Sequence, residues 1–222
     1  MLSDPKSSTE TVQVGPCTLI HGDALQCLPV QANVVITDPV WPNCPPGLLA
    51  GADGLQHGLL YGALAAMDGA RTWVVILGFD SDPRWLNRAV PSNKPFIRTQ
   101  SLPYAVPGYR GRLLGGDEIA YVFGAIPPGR GLIPGRVTTE VKPKSKRKVN
   151  HPCPRSPVHM AALVRWWSVD TDTVLDPFMG SGTTAIACVR GARRFIGIER
   201  DATHFATAVD RIRREVSQGR LL

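Results

Sequence analysis

This sequence predicts an α/β fold: a mostly parallel sheet with one antiparallel hairpin strand and helices on both faces. Three observations carry it. Short apolar runs rich in β-branched residues, "NVVITD", "TWVVILGF", "TVLD" and "FIGIE", are too short for helices and read as buried strands. They alternate with stretches whose apolar residues recur at helical spacing, as a parallel sheet with crossover helices requires. Two of the runs end in Asp-Pro, at Asp38-Pro39 and Asp176-Pro177, and the second leads straight into Gly-Ser-Gly.

Taken in order, the first ten or so residues are polar and read as a frayed end. "VQVGPCTLIHGDALQCLPV" gives a short strand, a turn at His21-Gly22-Asp23 and a short helix, and "NVVITD" the first buried strand. Residues 55–67, "LQHGLLYGALAAM", place apolar groups at helical spacing and predict a helix before the strand "TWVVILGF". Asp82 before Pro83 is a cap with proline at the first helical position, so a short helix follows. "FIRTQ" and "EIAYVFG" read as strands separated by a loop, "LPYAVPGYRGRLLGGD". Residues 126–150 shift to Pro, Gly and basic residues, too polar to pack a core, and predict a loop or flexible basic arm within one domain spanning 1–222. Ser156-Pro157 starts a helix with Val164 and Trp167 on its apolar side. The strand "TVLD", the helix "TTAIACVRGA" and the strand "FIGIE" follow. A last helix carries Phe205, Ala208, Val209, Ile212 and Val216 at spacings of three and four.

With 222 residues, 43% of them hydrophobic, the chain can bury one sizeable core. A formal net charge of +7 points to a polyanionic partner, nucleic acid before a membrane surface. The five cysteines, at 17, 27, 44, 153 and 188, are odd in number and lack Cys-x-x-Cys spacing, so neither a disulfide framework nor a zinc site is indicated. That pattern, with no apolar leader and no apolar run near the ~18 residues of a membrane span, leads to the expectation of a cytoplasmic protein.

"VLDPFMGSGTT" has the form of a strand delivering a Gly-rich turn and a helix N-terminus to a ligand beyond the strand ends. A phosphate-cradling loop would need Gly-Lys-Ser/Thr, and no Lys follows Gly182. A dinucleotide fingerprint is a weaker fit, with Ala185 in the third small position. Glu199 ends the next strand about twenty residues after Gly180, where a carboxylate can accept hydrogen bonds from ribose hydroxyls. An adenosine-containing ligand fits the set. An ordinary turn would explain Gly-Ser-Gly alone, but not its register with Asp176 and Glu199.

These residues, with "HPCPRSPVHMAALVRWW" and the upstream "HGDALQCL" and "NVVITDPVW", resemble the S-adenosylmethionine-dependent DNA amino-methyltransferases of the β order, in which the catalytic half precedes the cofactor half. The resemblance covers most of the chain outside the first ten residues and 126–150. It implies a Rossmann-like methyltransferase fold in permuted order, with S-adenosyl-L-methionine as cofactor and double-stranded DNA as substrate. It also implies that Asp176, Phe178, Gly180, Ser181 and Gly182 surround the methionine portion, with Thr183 and Thr184 near its carboxylate. Glu199 would hold the ribose, His151 and Pro152 would close the pocket, and Asp23 would be a cofactor or catalytic-edge residue, although it also reads as a plain helix cap.

"DPVW" corresponds to the family's Asp-Pro-Pro-Tyr element, with Val40 in place of the second proline and Trp41 in place of tyrosine. An exocyclic amine is a poor nucleophile because its lone pair is delocalised into the ring. Asp38 and the Pro39 carbonyl would stabilise the positive amine that develops during attack, and Trp41 would stack on a base swung out of the duplex. This chemistry needs no metal and no covalent intermediate. In the resembling enzymes Asp at the first place is usual for adenine N6 and Ser for cytosine N4, so adenine is expected. Methylation of cytosine carbon 5 would need a Pro-Cys nucleophile, and Pro16-Cys17 and Pro152-Cys153 match only the dipeptide.

Lys142, Lys144, Lys146, Arg147 and Lys148 lie where the resembling enzymes carry target recognition, and Tyr109, Arg110 and Arg112 form a second basic group. Such groups neutralise phosphates without reading sequence. The interval is short for a folded recognition module, which implies a short or relaxed target or help from a homodimer partner.

Overall fold

Gly15, at φ +56, and Pro16 turn the chain sharply, so the single strand expected there is two: β1 (Glu10–Val14) and β2 (Cys17–His21), paired antiparallel. The structure, a computed structural model, describes residues 9–40, 69–78, 80–110, 113–137 and 155–219, with the backbone alone at 85, 88, 104–110 and 113–116. The helix expected over 55–67 lies outside the described residues. After β2 come α1 (Ala24–Cys27), capped by Asp23, and the buried strand β3 (Val34–Thr37). The strand β4 (Thr72–Leu77) follows, then a 3-10 turn (Pro83–Trp85) capped by Asp82 and the short helix α2 (Leu86–Ala89).

The expected loop of residues 102–117 is instead mostly strand. β5 (Phe96–Arg110) and β6 (Leu113–Gly124) form one long antiparallel hairpin. The prolines misled because β5 is an edge strand, where a missing N–H can face away from the ladder, and a register shift between Pro103 and Gly108 absorbs the mismatch. The C-terminal elements follow the expected order: α3 (Pro157–Trp167), β7 (Thr173–Asp176), α4 (Thr183–Arg190), β8 (Arg194–Glu199) and α5 (Ala202–Gly219).

The sheet of eight strands runs β1-β2-β8-β7-β3-β4-β6-β5. Pairings β2·β8, β8·β7, β7·β3 and β3·β4 are parallel, so the central sheet is parallel as expected, and antiparallel strands extend it at both edges. From β3 the chain moves outward to β4, and from β7 it moves outward the other way to β8. The switch point of the sheet therefore lies between β3 and β7, where open α/β sheets hold ligands.

Alternate residues of the central strands face opposite layers. Val34, Ile36, Val74, Ile76 and Val174 pack with Met160, Leu163, Trp167, Ile186 and Phe205 of the C-terminal helices. Val35, Trp73, Val75, Leu77 and Leu175 pack with Leu86, Ala89 and Val90 on the other side. Within residues 126–137, expected to contribute nothing to a core, the stretch 133–137 lies along β5: Ser101 N donates to Gly135 O, Val137 N donates to Ser101 O, and Val137 is buried. Among the described residues no helix is long and apolar enough to cross a membrane.

Trp167 fixes α3 to the sheet, being fully buried, with its indole N–H donating to Gln100 Oε1 on β5 at 2.5 Å. Trp167→Ala should lower unfolding free energy by about 3–5 kcal/mol, read from the midpoint of a urea melt. A change below about 1 kcal/mol would show that this contact does not hold the helical layer in place.

Candidate active site

Both Asp-Pro corners leave the same edge of the sheet, one from each side of its switch point. Val34 and Val35 of β3 are in register with Val174 and Leu175 of β7, so Thr37-Asp38 and Asp176-Pro177 end side by side. Thr37 Oγ1 donates to Asp176 Oδ1 at 2.9 Å, Thr184 Oγ1 to Oδ2 at 2.7 Å, and Phe178 N to Oδ1 at 3.1 Å. One buried carboxylate thus ties β3, the turn after β7 and the first turn of α4 together.

Burial pushes the Asp176 carboxyl up to about 7; the bonds from Thr184, Thr37 and Phe178 pull against that shift, and the nearby Asp38 charge adds to it. The side-chain oxygens of Asp176 and Thr184 are therefore engaged inside the protein. Ser181 is similar: Arg211 of α5 donates to its carbonyl and, at 2.7 Å, to its Oγ. These three residues offer a ligand position and backbone.

Gly180 (φ +50) and Gly182 (φ +79) turn the chain into α4. At Gly182 a Cβ would stand 3.1 Å from the Ala208 Cβ, so helix packing and backbone conformation both demand glycine. Gly182 caps α4 without a side-chain bond, and Thr183 and Thr184 open the helix beyond it. Phe178 is half-buried beneath the turn, against Ile198 and Leu175.

Glu199, at the end of β8, pins the turn: Oε2 accepts from Gly180 N at 2.9 Å and Oε1 from Asp201 N at 2.8 Å. Burial raises its pKa above the ordinary value, against lowering by those bonds and by His204. On the neighbouring strand His21 is in register with Glu199, and Gly22 N donates to the Glu199 carbonyl at 3.0 Å. Asp23 follows at once. It is the helix cap the sequence suggested, accepting from Leu25 N at 2.8 Å, and it stands at the strand end beside Glu199.

At the other corner, Asp38 Oδ2 accepts from Arg155 Nε, and Arg155 Nη1 donates to Glu118 Oε1. Sequence reasoning overlooked Arg155, Glu118, Thr37 and Arg211. Two had a signal: Glu118 is an acid opening the apolar run "IAYVF", and Arg211 borders the buried stripe of the last helix. Trp41, His151, Pro152, Arg112 and the basic run from Lys142, Lys144 and Lys146 through Arg147 to Lys148 lie outside the described residues. Tyr109 and Arg110 lie on the β5 arm, of which the backbone alone is described. Among the described residues no group of three or more His, Cys, Asp and Glu is placed to hold a metal ion.

A family model described as "DNA methylase" matches residues 35–210. A putative methylase, YubD of Escherichia coli K12, is 30% identical over 118 residues, 52% of this chain and 48% of that protein. The type II methyltransferase M.BglI of Bacillus subtilis is 54% identical over 39 residues, 18% of this chain and 11% of its own. The matches thus span about half or less of the curated relatives' length. Among solved structures, the M1.HpyAVI–SAM complex superposes with a TM-score of 0.68 at 22% identity, covering 88% of this chain and 98% of that one. The cytosine-N4-specific PvuII DNA methyltransferase superposes at 0.63 and 15% identity, covering 92% and 93%.

Asp176 makes stability depend on pH in a stated direction. A carboxyl whose folded pKa is raised favours the fold below its unfolded value, near 4, and that contribution is lost as pH rises to about 7. Asp176→Asn should therefore flatten the decline in stability between about pH 4 and about pH 7, as urea melts across that range would record. Equal slopes in both proteins would mean that Asp176 does not titrate there.

Proposed function

Because the chain belongs to the DNA methylase family, we propose that it transfers a methyl group from S-adenosylmethionine to the exocyclic N6 amine of adenine in double-stranded DNA. The observation that carries this reading is the juxtaposition, on the adjacent strand ends of β3 and β7, of a Gly-rich turn and an Asp-Pro corner.

The donor set suits the cofactor. Glu199 and Asp23 put carboxylates at neighbouring strand ends, where a ribose diol and an adenine amine would need acceptors. The backbone of Gly180 to Thr184 would receive the amino-acid portion, and Phe178 would floor it. When bound there, S-adenosylmethionine supplies an electrophilic methyl on a sulfonium. The chain's own part is to place the acceptor. Asp38 and the Pro39 carbonyl accept hydrogen bonds from the base amine, drawing its lone pair toward attack and stabilising the positive charge that develops. Trp41 would hold the flipped base by stacking, since the amine cannot be reached inside the duplex. Val40, in place of the family's second proline, loosens this corner.

Past Leu77↔Ile119, where β4 ends, the β5–β6 hairpin continues as a two-stranded arm from the edge that carries Asp38. Its tip sequence holds Tyr109, Arg110 and Arg112, and with the Lys142–Lys148 run it would meet phosphates. A homodimer would supply the further contacts that a short recognition region lacks. Transfer to cytosine N4 is the second reading, favoured by the shared fold of a cytosine-N4-specific enzyme.

Incubation with S-adenosylmethionine and unmodified DNA, followed by mass spectrometry of the nucleosides, should yield N6-methyladenine. N4-methylcytosine would overturn the target, and absence of product despite cofactor binding would overturn the enzyme reading. Asp38→Ala should lower turnover by roughly a hundredfold or more while cofactor affinity holds. Glu199→Ala should weaken cofactor binding by about tenfold or more, the worth of a charge-assisted hydrogen bond. Unchanged affinity in a calorimetric titration would remove Glu199 from the site.

A further inference from the structure

Arg155 stands one residue before the Ser156 cap of α3 and divides its guanidinium between two acids. Nε donates to Asp38 at the end of β3 and Nη1 to Glu118 on β6. The side chains are 15% (Asp38), 19% (Arg155) and 11% (Glu118) exposed, so each charge is largely removed from water and depends on the others.

The charge count matters to the chemistry. A guanidinium alone beside Asp38 would cancel the negative charge that a developing cationic amine requires. Glu118, held by the same guanidinium, sets a second carboxylate against that one positive charge. Other ionisable groups face the set from neighbouring elements. Asp176 on β7 interacts with Asp38, and His159 on α3 with both Arg155 and Asp117 of β6. A carboxylate can accept about four hydrogen bonds, so the one from Arg155 does not by itself saturate Asp38.

We infer that Arg155 and Glu118 are positioning residues for Asp38: Arg155 fixes the orientation of its carboxylate and holds it ionised once a base covers it, and Glu118 offsets the positive charge that Arg155 brings. The inference rests on the methyl-transfer reading above and adds to it the residues that give Asp38 its charge and aim. A bridge that merely fastened the start of α3 to the sheet would change stability or cofactor affinity, but not the pH at which transfer switches on.

The experiment is single-turnover methyl transfer across a pH series, at saturating cofactor and DNA, with the full chain, Arg155→Gln, Arg155→Lys and Glu118→Gln. Calorimetric titration with S-adenosylmethionine runs alongside. Arg155→Gln should slow transfer by roughly ten- to a hundredfold and move the acid limb of the profile to higher pH, with cofactor affinity within about threefold. Arg155→Lys should restore the limb but not the full rate, because an ammonium keeps the charge and loses the two-armed grip. Glu118→Gln should slow transfer without moving the limb upward. A wild-type rate and profile for Arg155→Gln, or losses of rate that track losses of cofactor affinity in all three variants, would overturn the inference. If the unaltered chain transfers no methyl group to DNA, the methyl-transfer reading falls and takes this one with it; an active chain with an indifferent Arg155→Gln removes this one alone.

Discussion

The carboxylate of Asp176 is the point on which the site depends. It is fully enclosed, and its partners come from three directions: the Thr37 hydroxyl across the switch point, the Phe178 amide in its own turn, and the Thr184 hydroxyl from the start of α4. A buried acid is costly unless its lone pairs are met, and here three donors from separate segments meet them. The same bonds set the distance between the strand that ends in Asp38 and the turn that carries the glycines. Strand pairing brings cradle and corner side by side, and these hydrogen bonds fasten one to the other.

Two carboxylates at adjacent strand ends cannot be treated alike, and the surroundings separate them. Asp176 is turned inward, and burial raises its pKa with a contribution from the neighbouring Asp38 charge. Asp38 is turned toward Arg155, whose guanidinium compensates it directly. Divergent environments thus give the two acids different character: one enclosed carboxyl and one ion-paired carboxylate. Glu199 belongs to neither case: each of its oxygens accepts one backbone amide, which braces the Gly180 turn against the chain entering α5 and leaves acceptor capacity on the carboxylate.

Much of this was legible in the sequence because the signals were local. Runs such as "VVIT" and "WVVIL" are short and apolar at nearly every position, as strands covered on both faces are, and the proline cap at Ser156-Pro157 marks the start of α3 without tertiary information. The misses share a cause. Gly15-Pro16 was absorbed into one strand, and the prolines of residues 102–117 read as loop, because whether a strand is an edge strand is a property of the whole sheet. Asp38, Asp176, the glycines and Glu199, which the structure brings to one end of the sheet, stood out in the sequence through spacing. Arg155 and Glu118 did not, since only the folded sheet brings them to Asp38.

That non-locality explains how a sheet can carry the strand that ends in Asp38 before the strand that ends in Asp176. The bond from Thr37 to Asp176 closes 139 residues of chain, that from Arg155 to Asp38 closes 117, and that from Gly180 to Glu199 only 19. Short-range bonds build the cradle, and long-range bonds join it to the corner. The switch point imposes a side-by-side arrangement of β3 and β7 but has no requirement about which is made first. Chain order can then be exchanged provided the long-range donors and acceptors survive, and the Thr37–Asp176 and Arg155–Asp38 pairs are the ones this chain uses.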